Sequence, residues 1–274
     1  MVVQGSLTND VVWEKSDIDA TVVVRDQKIT VRNFCLDADG IVMNMYVIDR
    51  SDYVRMLERG LGGSMSQSFN SHSKVMYTTD TSITEMVEKN KIIGERDAER
   101  SAFFIACDVI CLMEKCEKWL YVKKDLPYCR YYILKTAESL ARLEICLNKE
   151  APLREVIQRA GVLNPALVDR FYNYPLNNTL GEKELEELIF DIDKYLMDHI
   201  EVLSNQVVEY LDDGEIKTVN MFAREFHSDG HFIVHILEYF VSKGIIDKVS
   251  QTIRITPKSR PILEEIAYMK KTNF

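Results

Sequence analysis

No stretch of the 274 residues holds the run of about 20 apolar side chains that a membrane-spanning helix needs, so the sequence predicts no helical crossing of a bilayer. Basic charge is also short: 34 Lys and Arg stand against 43 Asp and Glu, a formal net of -9. Binding nucleic acid through bulk electrostatics needs an excess of cations, so any nucleic-acid contact has to be local. No Cys-x-x-Cys pair occurs, and Cys35, Cys107, Cys111, Cys116, Cys129 and Cys146 are scattered along the chain. No histidine stands near Cys107, Cys111 and Cys116 to complete a zinc site, which leaves buried, inert thiols as the expectation. With no apolar leader, reduced thiols in a cytoplasmic protein follow. G-x-x-x-x-G-K followed by Ser or Thr is missing, which excludes a P-loop enzyme. Internal repeats and low-complexity tracts are missing as well.

What is present is ample apolar matter. At 46% hydrophobic residues and 31.7 kDa the chain is long enough for two or three packed domains. Residues 1–90 read as strands and turns, with TVVVRD, KITVRNF and GIVMNMYVI as strands, DRSDYVRMLERG as a helix, GLGGSMSQSFNSHSK as a loop and KVMYTTD as a returning strand. Residues 91–203 change to helical periodicity. Residues 204–274 read as two short helices, TVNMFAREFH and GHFIVHILEYFVSKGII, followed by DKVS and TIRITP as a strand pair, the order of a winged helix. The fold class expected is therefore α+β: a small mixed sheet domain, a helical bundle and a winged-helix-like domain.

The chemistry concentrates near the start, in GSLTNDVVWEKSDIDATVVV. Side chains two apart on a strand point the same way, so Asp17 and Asp19 share a face while Ile18 takes the other. Like charges held that close call for a positive partner, and a hard divalent cation suits oxygen ligands. Ahead of them, Gly5 and Ser6 follow the four-residue strand MVVQ and offer a tight turn whose N–H groups and hydroxyl suit phosphate oxygens. So short an opening strand suggests a truncated start or a shortened relative of a longer protein. Phosphate cradle and metal pair together make a site for a nucleoside triphosphate, ATP being the first choice.

GSL, a linker of ten residues and DID opening an apolar strand resemble the signature of the DNA polymerase beta-like nucleotidyltransferase superfamily, with the spacing of kanamycin (aminoglycoside) nucleotidyltransferases. The resemblance implies that Gly5 and Ser6 bind the triphosphate, that Asp17 and Asp19 bind Mg2+, and that a helical substrate domain follows. It implies transfer of a nucleoside monophosphate to a hydroxyl, the acceptor being an aminoglycoside-like small molecule first and a protein hydroxyl second. Many members supply a third carboxylate from a later strand, whereas GIVMNMYVI offers only Asn44 as a polar side chain. The antibiotic-modifying relatives take a general base from a helix of the second domain, and Asp108 and Glu114 are the candidates here, Glu114 slightly ahead. The missing carboxylate keeps a rival open: a nucleotide-binding sensor that signals through the winged helix.

Other features read more plainly. Asp80 in YTTDTS is expected as a turn former rather than a ligand. Tyr128, Tyr131 and Tyr132, with Arg130, make a stripe at helical spacing that reads as core rather than as a cleft lining. His227, His231 and His235 lack a carboxylate or cysteine to complete a metal set and read as packing or surface residues. From Asn205 to Phe274 nine Lys and Arg face ten Asp and Glu, and the expected recognition helix holds one base, Lys243. A protein contact or self-association is thus favoured over DNA for that domain, while Lys248, Arg254, Lys258 and Arg260 in the wing keep DNA open as the second reading.

Overall fold

The computed structural model describes residues 1–8, 12–59, 69–91, 93–152 and 154–271. The expected loop GLGGSMSQSFNSHSK lies largely outside these residues. Two compact units divide the chain: residues 1–101 with 145–156, and residues 102–144 with 157–274.

The first unit is built on a five-stranded mixed sheet, β1 (Val2–Gln4), β2 (Ile18–Val24), β3 (Asn33–Ala38), β4 (Ile41–Asp49) and β5 (Lys74–Val75), in the order β3-β4-β2-β1-β5. β2 lies parallel to β4 and antiparallel to β1. β3 and β4 form a hairpin around Asp39 and Gly40, whose φ angles of +55° and +82° suit a two-residue turn that follows the twist of the strands. The third strand therefore starts at Asn33 and not at Lys28 as KITVRNF suggests, because its register is counted back from that turn. KVMYTTD contributes only Lys74 and Val75 as strand, which pair with Val3 and Val2, while Met76 N donates to Met1 O at 3.0 Å beyond the ladder. At one end of the sheet Val2 and Ile48 pack with Tyr53 of the Arg50–Arg59 helix and with Ile83 and Val87 of the Thr81–Asn90 helix. Burying such side chains contributes about 1.5–3 kcal/mol each. Asp80 caps the Thr81–Asn90 helix, its carboxylate accepting from Ser82 N at 3.1 Å, so the turn-forming role is the one it takes.

The second unit is helical. It holds most of the Glu95–Glu117 and Leu126–Leu147 helices, then the Val156–Leu163, Glu182–Asp198 and Ile200–Tyr210 helices. Leu185, Leu188, Ile189, Ile192 and Leu196 recur at helical spacing and are all buried. Cys107, Cys116, Cys129 and Cys146 are buried thiols, and burial raises Cys107 well above the usual thiol range, as expected of inert cysteines; Cys111 is half-buried and Cys35 exposed, which departs from that expectation. The tyrosine stripe departs from expectation: Tyr128 and Tyr131 are 40% and 46% exposed, because the Leu126–Leu147 helix turns Cys129, Ile133 and Leu140 inward instead.

At the end of this unit β6 (Lys217–Thr218) leads into the Val219–Glu225 and Gly230–Ser242 helices, then β7 (Ile246–Ile253) and β8 (Leu263–Lys270), in a sheet of order β6-β8-β7. DKVS and the start of TIRITP do not pair with each other. They form one continuous strand, and β8 is its partner, since nothing between Ser250 and Thr252 makes a turn whereas Thr256 and Ser259 close one by exchanging hydrogen bonds.

Candidate functional site

Register assembles the site. β1 against β2 sets Gln4 opposite Asp19, β2 beside β4 sets Asp19 opposite Asn44, and β4 against β3 sets Asn44 opposite Cys35. Directly opposed residues share a face. Gln4, Asp19, Asn44 and Cys35 thus cross four strands in a row, and all four line one cleft of about 500 Å³. Tyr46, Phe34 and Phe69 supply its apolar walls.

Asn44 Nδ2 donates to Asp17 Oδ2 at 2.6 Å and to Asp19 Oδ1 at 3.1 Å, while Asn44 Oδ1 accepts from the Cys35 thiol at 3.2 Å. One oxygen from each carboxylate therefore stands within reach of a single atom. The two aspartates converge, which is what a shared cation requires, and the donor set of two carboxylate oxygens fits a hard ion such as magnesium. Among the described residues no group of three or more His, Cys, Asp or Glu forms a metal cluster, so protein ligands beyond the pair would have to be amide, hydroxyl or backbone oxygens.

The turn that follows β1 is tied to the same pair. Gly5 to Thr8 make one 3-10 turn, closed by Thr8 Oγ1 donating to Gly5 O at 2.8 Å. Gly5 has φ +77°, and a Cβ placed there would lie 2.6 Å from Asp19 Oδ2. Only glycine brings the backbone this close to the carboxylate without strain. Ser6 follows in the turn and is half-buried. Behind the row, Gln4 Nε2 donates to Asn70 Oδ1 at 3.2 Å and Thr21 Oγ1 donates to Gln4 Oε1 at 3.3 Å, holding the end of β1 beside β2.

Asp108 and Glu114 belong to the second unit. Asp108 is half-buried, and desolvation raises its pKa while Arg142 opposes the rise. Glu114 is exposed and engages His235, with Nδ1 3.0 Å from Oε2. The three histidines make no metal ladder: His227 lies between two helices at φ +50°, His231 begins the next helix, and His235 meets Glu114.

Cys35, Gln4, Thr21 and Asn70 were not apparent as site residues. Gln4 could have been found from its place beside Gly5, but Cys35 and Asn70 reach the cleft only through strand register and long-range folding.

Neither a protein-family model nor a curated protein sequence matches the chain. Among solved structures it is similar to a nucleotidyltransferase-like protein from Exiguobacterium sibiricum 255-15, with a TM-score of 0.70 and 12% sequence identity, over 99% of this chain and 93% of that one. At this identity the likeness establishes the fold, a nucleotidyltransferase-like α+β fold. No helix among the described residues is long and apolar enough to cross a membrane.

Proposed function

We propose that this chain is a magnesium-dependent nucleotidyltransferase that moves a nucleoside monophosphate from an NTP, ATP first, to a hydroxyl of a small molecule or protein. The convergence of Asp17 and Asp19 on one atom beside the Gly5 turn carries this reading. The acceptor oxygen forms a bond to the α-phosphorus, the bond from that phosphorus to the bridging oxygen breaks, and pyrophosphate leaves. The acceptor proton passes to a base, for which Asp108 has the raised pKa that suits the task and Glu114 the more exposed position. Asp17 and Asp19 would hold magnesium, which when bound neutralises the pair and stabilises charge on the departing pyrophosphate. Gly5 and Ser6 bring backbone and hydroxyl donors to the phosphates, and Tyr46, Phe34 and Phe69 suit a nucleoside against the cleft wall.

Titration calorimetry with ATP and GTP, with and without magnesium, followed by a pyrophosphate-release assay over candidate acceptors, tests this reading. Magnesium-dependent binding with turnover is expected; absence of nucleotide binding overturns it. One observation favours a second reading, a nucleotide-binding sensor: Asn44 places a neutral donor between the aspartates, where a third carboxylate would strengthen the metal. Tight binding with no pyrophosphate release against any acceptor identifies the sensor.

The elements from β6 to β8 support a winged-helix-like module adapted to protein contact. Lys243, the one base of the Gly230–Ser242 helix region, is held 2.7 Å from Asp193, and Lys248 is held 2.8 Å from Glu238. Cations already paired within the protein leave fewer for phosphates.

A further inference from the structure

The chain is acidic overall, but residues 115–135 carry six basic side chains against two acidic ones and five of its aromatic residues. The structure gathers Trp119, Tyr128, Tyr131, Tyr132 and Lys135 on one surface of the second unit. Trp119 and Tyr128 meet edge to face with ring centroids 4.4 Å apart, Tyr128 and Tyr131 lie 5.5 Å apart, and Tyr131 and Tyr132 5.7 Å apart. Lys135 Nζ lies 5.2 Å from the Tyr131 ring centroid. Tyr128, Tyr131, Tyr132 and Lys135 fall at helical spacing on one stripe of the Leu126–Leu147 helix, away from its buried Cys129 and Ile133.

A second feature opens the neighbouring segment. Lys118 to Val122 form a π-helical turn, in which Lys123 N donates to Lys118 O at 3.0 Å across five residues. The wider turn leaves Tyr121 47% and Val122 73% exposed. Such turns are rare and occur frequently at functional sites. Not every cation here is available: Lys124 is paired with Glu182 at 2.8 Å, and Arg130 donates to the Pro175 and Leu176 carbonyls. Lys115, Lys118 and Lys123 are exposed and form no ion pair among the described residues.

We propose that this surface binds single-stranded nucleic acid, with bases stacked on Tyr128 and Tyr131, which Trp119 supports from the side, and phosphates beside Lys115, Lys118, Lys123 and Lys135. Tyr128 and Tyr131, tilted 32° from each other and exposed, suit stacking with unpaired bases, which duplexes conceal. Lys115, Lys118, Lys123 and Lys135 offer cations for phosphates beside the rings, and the carboxylates Glu117, Glu182 and Glu186, whose charges reach Tyr121, confine them to the lysine side of the patch. Buried aromatic clusters serve packing, but Tyr128 and Tyr131 stand exposed beside the half-buried Trp119 and Tyr132, where an apolar surface without a ligand gains nothing. The inference does not depend on nucleotidyl transfer at the sheet.

Fluorescence anisotropy of the full-length protein with labelled U20, A20, dT20 and a blunt 20-base-pair duplex at low salt, then across a salt series, tests it. Single strands are expected to bind more tightly than the duplex. Tyr128→Ala should weaken binding about tenfold, the scale of one lost stacked base, and Trp119→Ala, which removes the side support, should weaken it too, while Tyr128→Phe retains it. Lys118→Ala with Lys123→Ala should lower affinity and flatten the salt slope by about two phosphate contacts. Circular dichroism melts confirm that each variant is folded, and the exposed Tyr131→Ala serves in place of any that is not. Absence of single-strand binding, equal affinity for the duplex, or affinity unchanged by the aromatic variants would overturn the proposal. So would binding of a poly-glutamate peptide at this surface with no nucleic-acid affinity.

Discussion

Replacing Asp17 or Asp19 by asparagine separates a metal-binding pair from a structural one. Two carboxylate oxygens that both contact Asn44 Nδ2, at 2.6 and 3.1 Å, lie at most about 6 Å apart. At that separation and an effective dielectric near 20, like charges repel by roughly 3 kcal/mol. Partial exposure of both residues and the Asn44 hydrogens between them reduce the net repulsion to about 1 kcal/mol. Neutralising one carboxylate also replaces a charge-assisted hydrogen bond by a neutral one, a loss of about 1 kcal/mol. The two terms nearly cancel, so Asp17→Asn and Asp19→Asn should melt within a few degrees of the parent protein in EDTA. Magnesium and ATP are different. At about 100 times Kd a ligand adds about 2.7 kcal/mol, which for a protein of this size raises the parent Tm by roughly 5–10 °C. That rise should vanish in both variants, together with pyrophosphate release. Asn44→Asp should do the reverse, lowering the EDTA melt by gathering three carboxylates and lowering the magnesium concentration at which the rise appears. Differential scanning calorimetry in the two buffers reads all four proteins. A parent melt indifferent to magnesium and ATP, with both aspartate variants several degrees lower in EDTA, refutes the reasoning and makes the pair structural.

Four further outcomes are expected. Gly5→Ala should destabilise by about 1–2 kcal/mol through its positive φ and displace Asp19 from its new Cβ, reducing nucleotide affinity as well as Tm in the same calorimetric series. Asp80, held down to about pH 2 by Ser82 first and then by the Arg50 and Arg25 guanidiniums, stabilises the fold above the ordinary carboxylate range. Its folded pKa is depressed, so this contribution is lost as pH falls from about 4 toward 2, and Asp80→Asn should flatten the melting profile in that window. Asp108 has a raised folded pKa, so its charge costs stability at neutral pH; Asp108→Asn should melt higher at pH 7 and equal to parent in acid, while Asp108→Asn or Glu114→Gln slows transfer by about 10²- to 10⁴-fold with nucleotide affinity intact, and unchanged turnover in both removes the helical base. The module from β6 to β8 should add little affinity for a random duplex; sub-micromolar binding at physiological salt, lost in Arg254→Ala with Lys258→Ala, is the contrary result.

Much of the site was legible because its parts are near neighbours in the chain. Asp19 lies on the antiparallel pair β1 and β2, Gly5, Ser6 and Asp17 stand one or two residues beyond its ends, and period-two alternation carried one residue past β2 puts both carboxylates on one side. The helices were legible for the same reason, since apolar spacing and capping residues such as Asp80 and Asp229 act within a turn of where they sit. Asn44 could be named as the polar residue in an apolar strand, but its place between the aspartates depends on parallel pairing of β2 with β4.

Tertiary structure decided what periodicity leaves open. An apolar stripe marks one face of a helix without saying what covers it, so Tyr128 and Tyr131 read as core and lie instead on the surface. Alternation identified strands near the C-terminus, yet only the ladder shows β7 as one strand paired with β8. Lys243 reads as a free base in sequence and is held by Asp193, fifty residues earlier. Cys35 reaches the site solely because a two-residue turn at Asp39 and Gly40 lays β3 along β4. Local backbone sterics act between residues a few positions apart and can be read along the chain. Register, burial and ion pairing join residues tens of positions apart, and many pairings satisfy the local rules equally, so the packing of the whole unit selects among them.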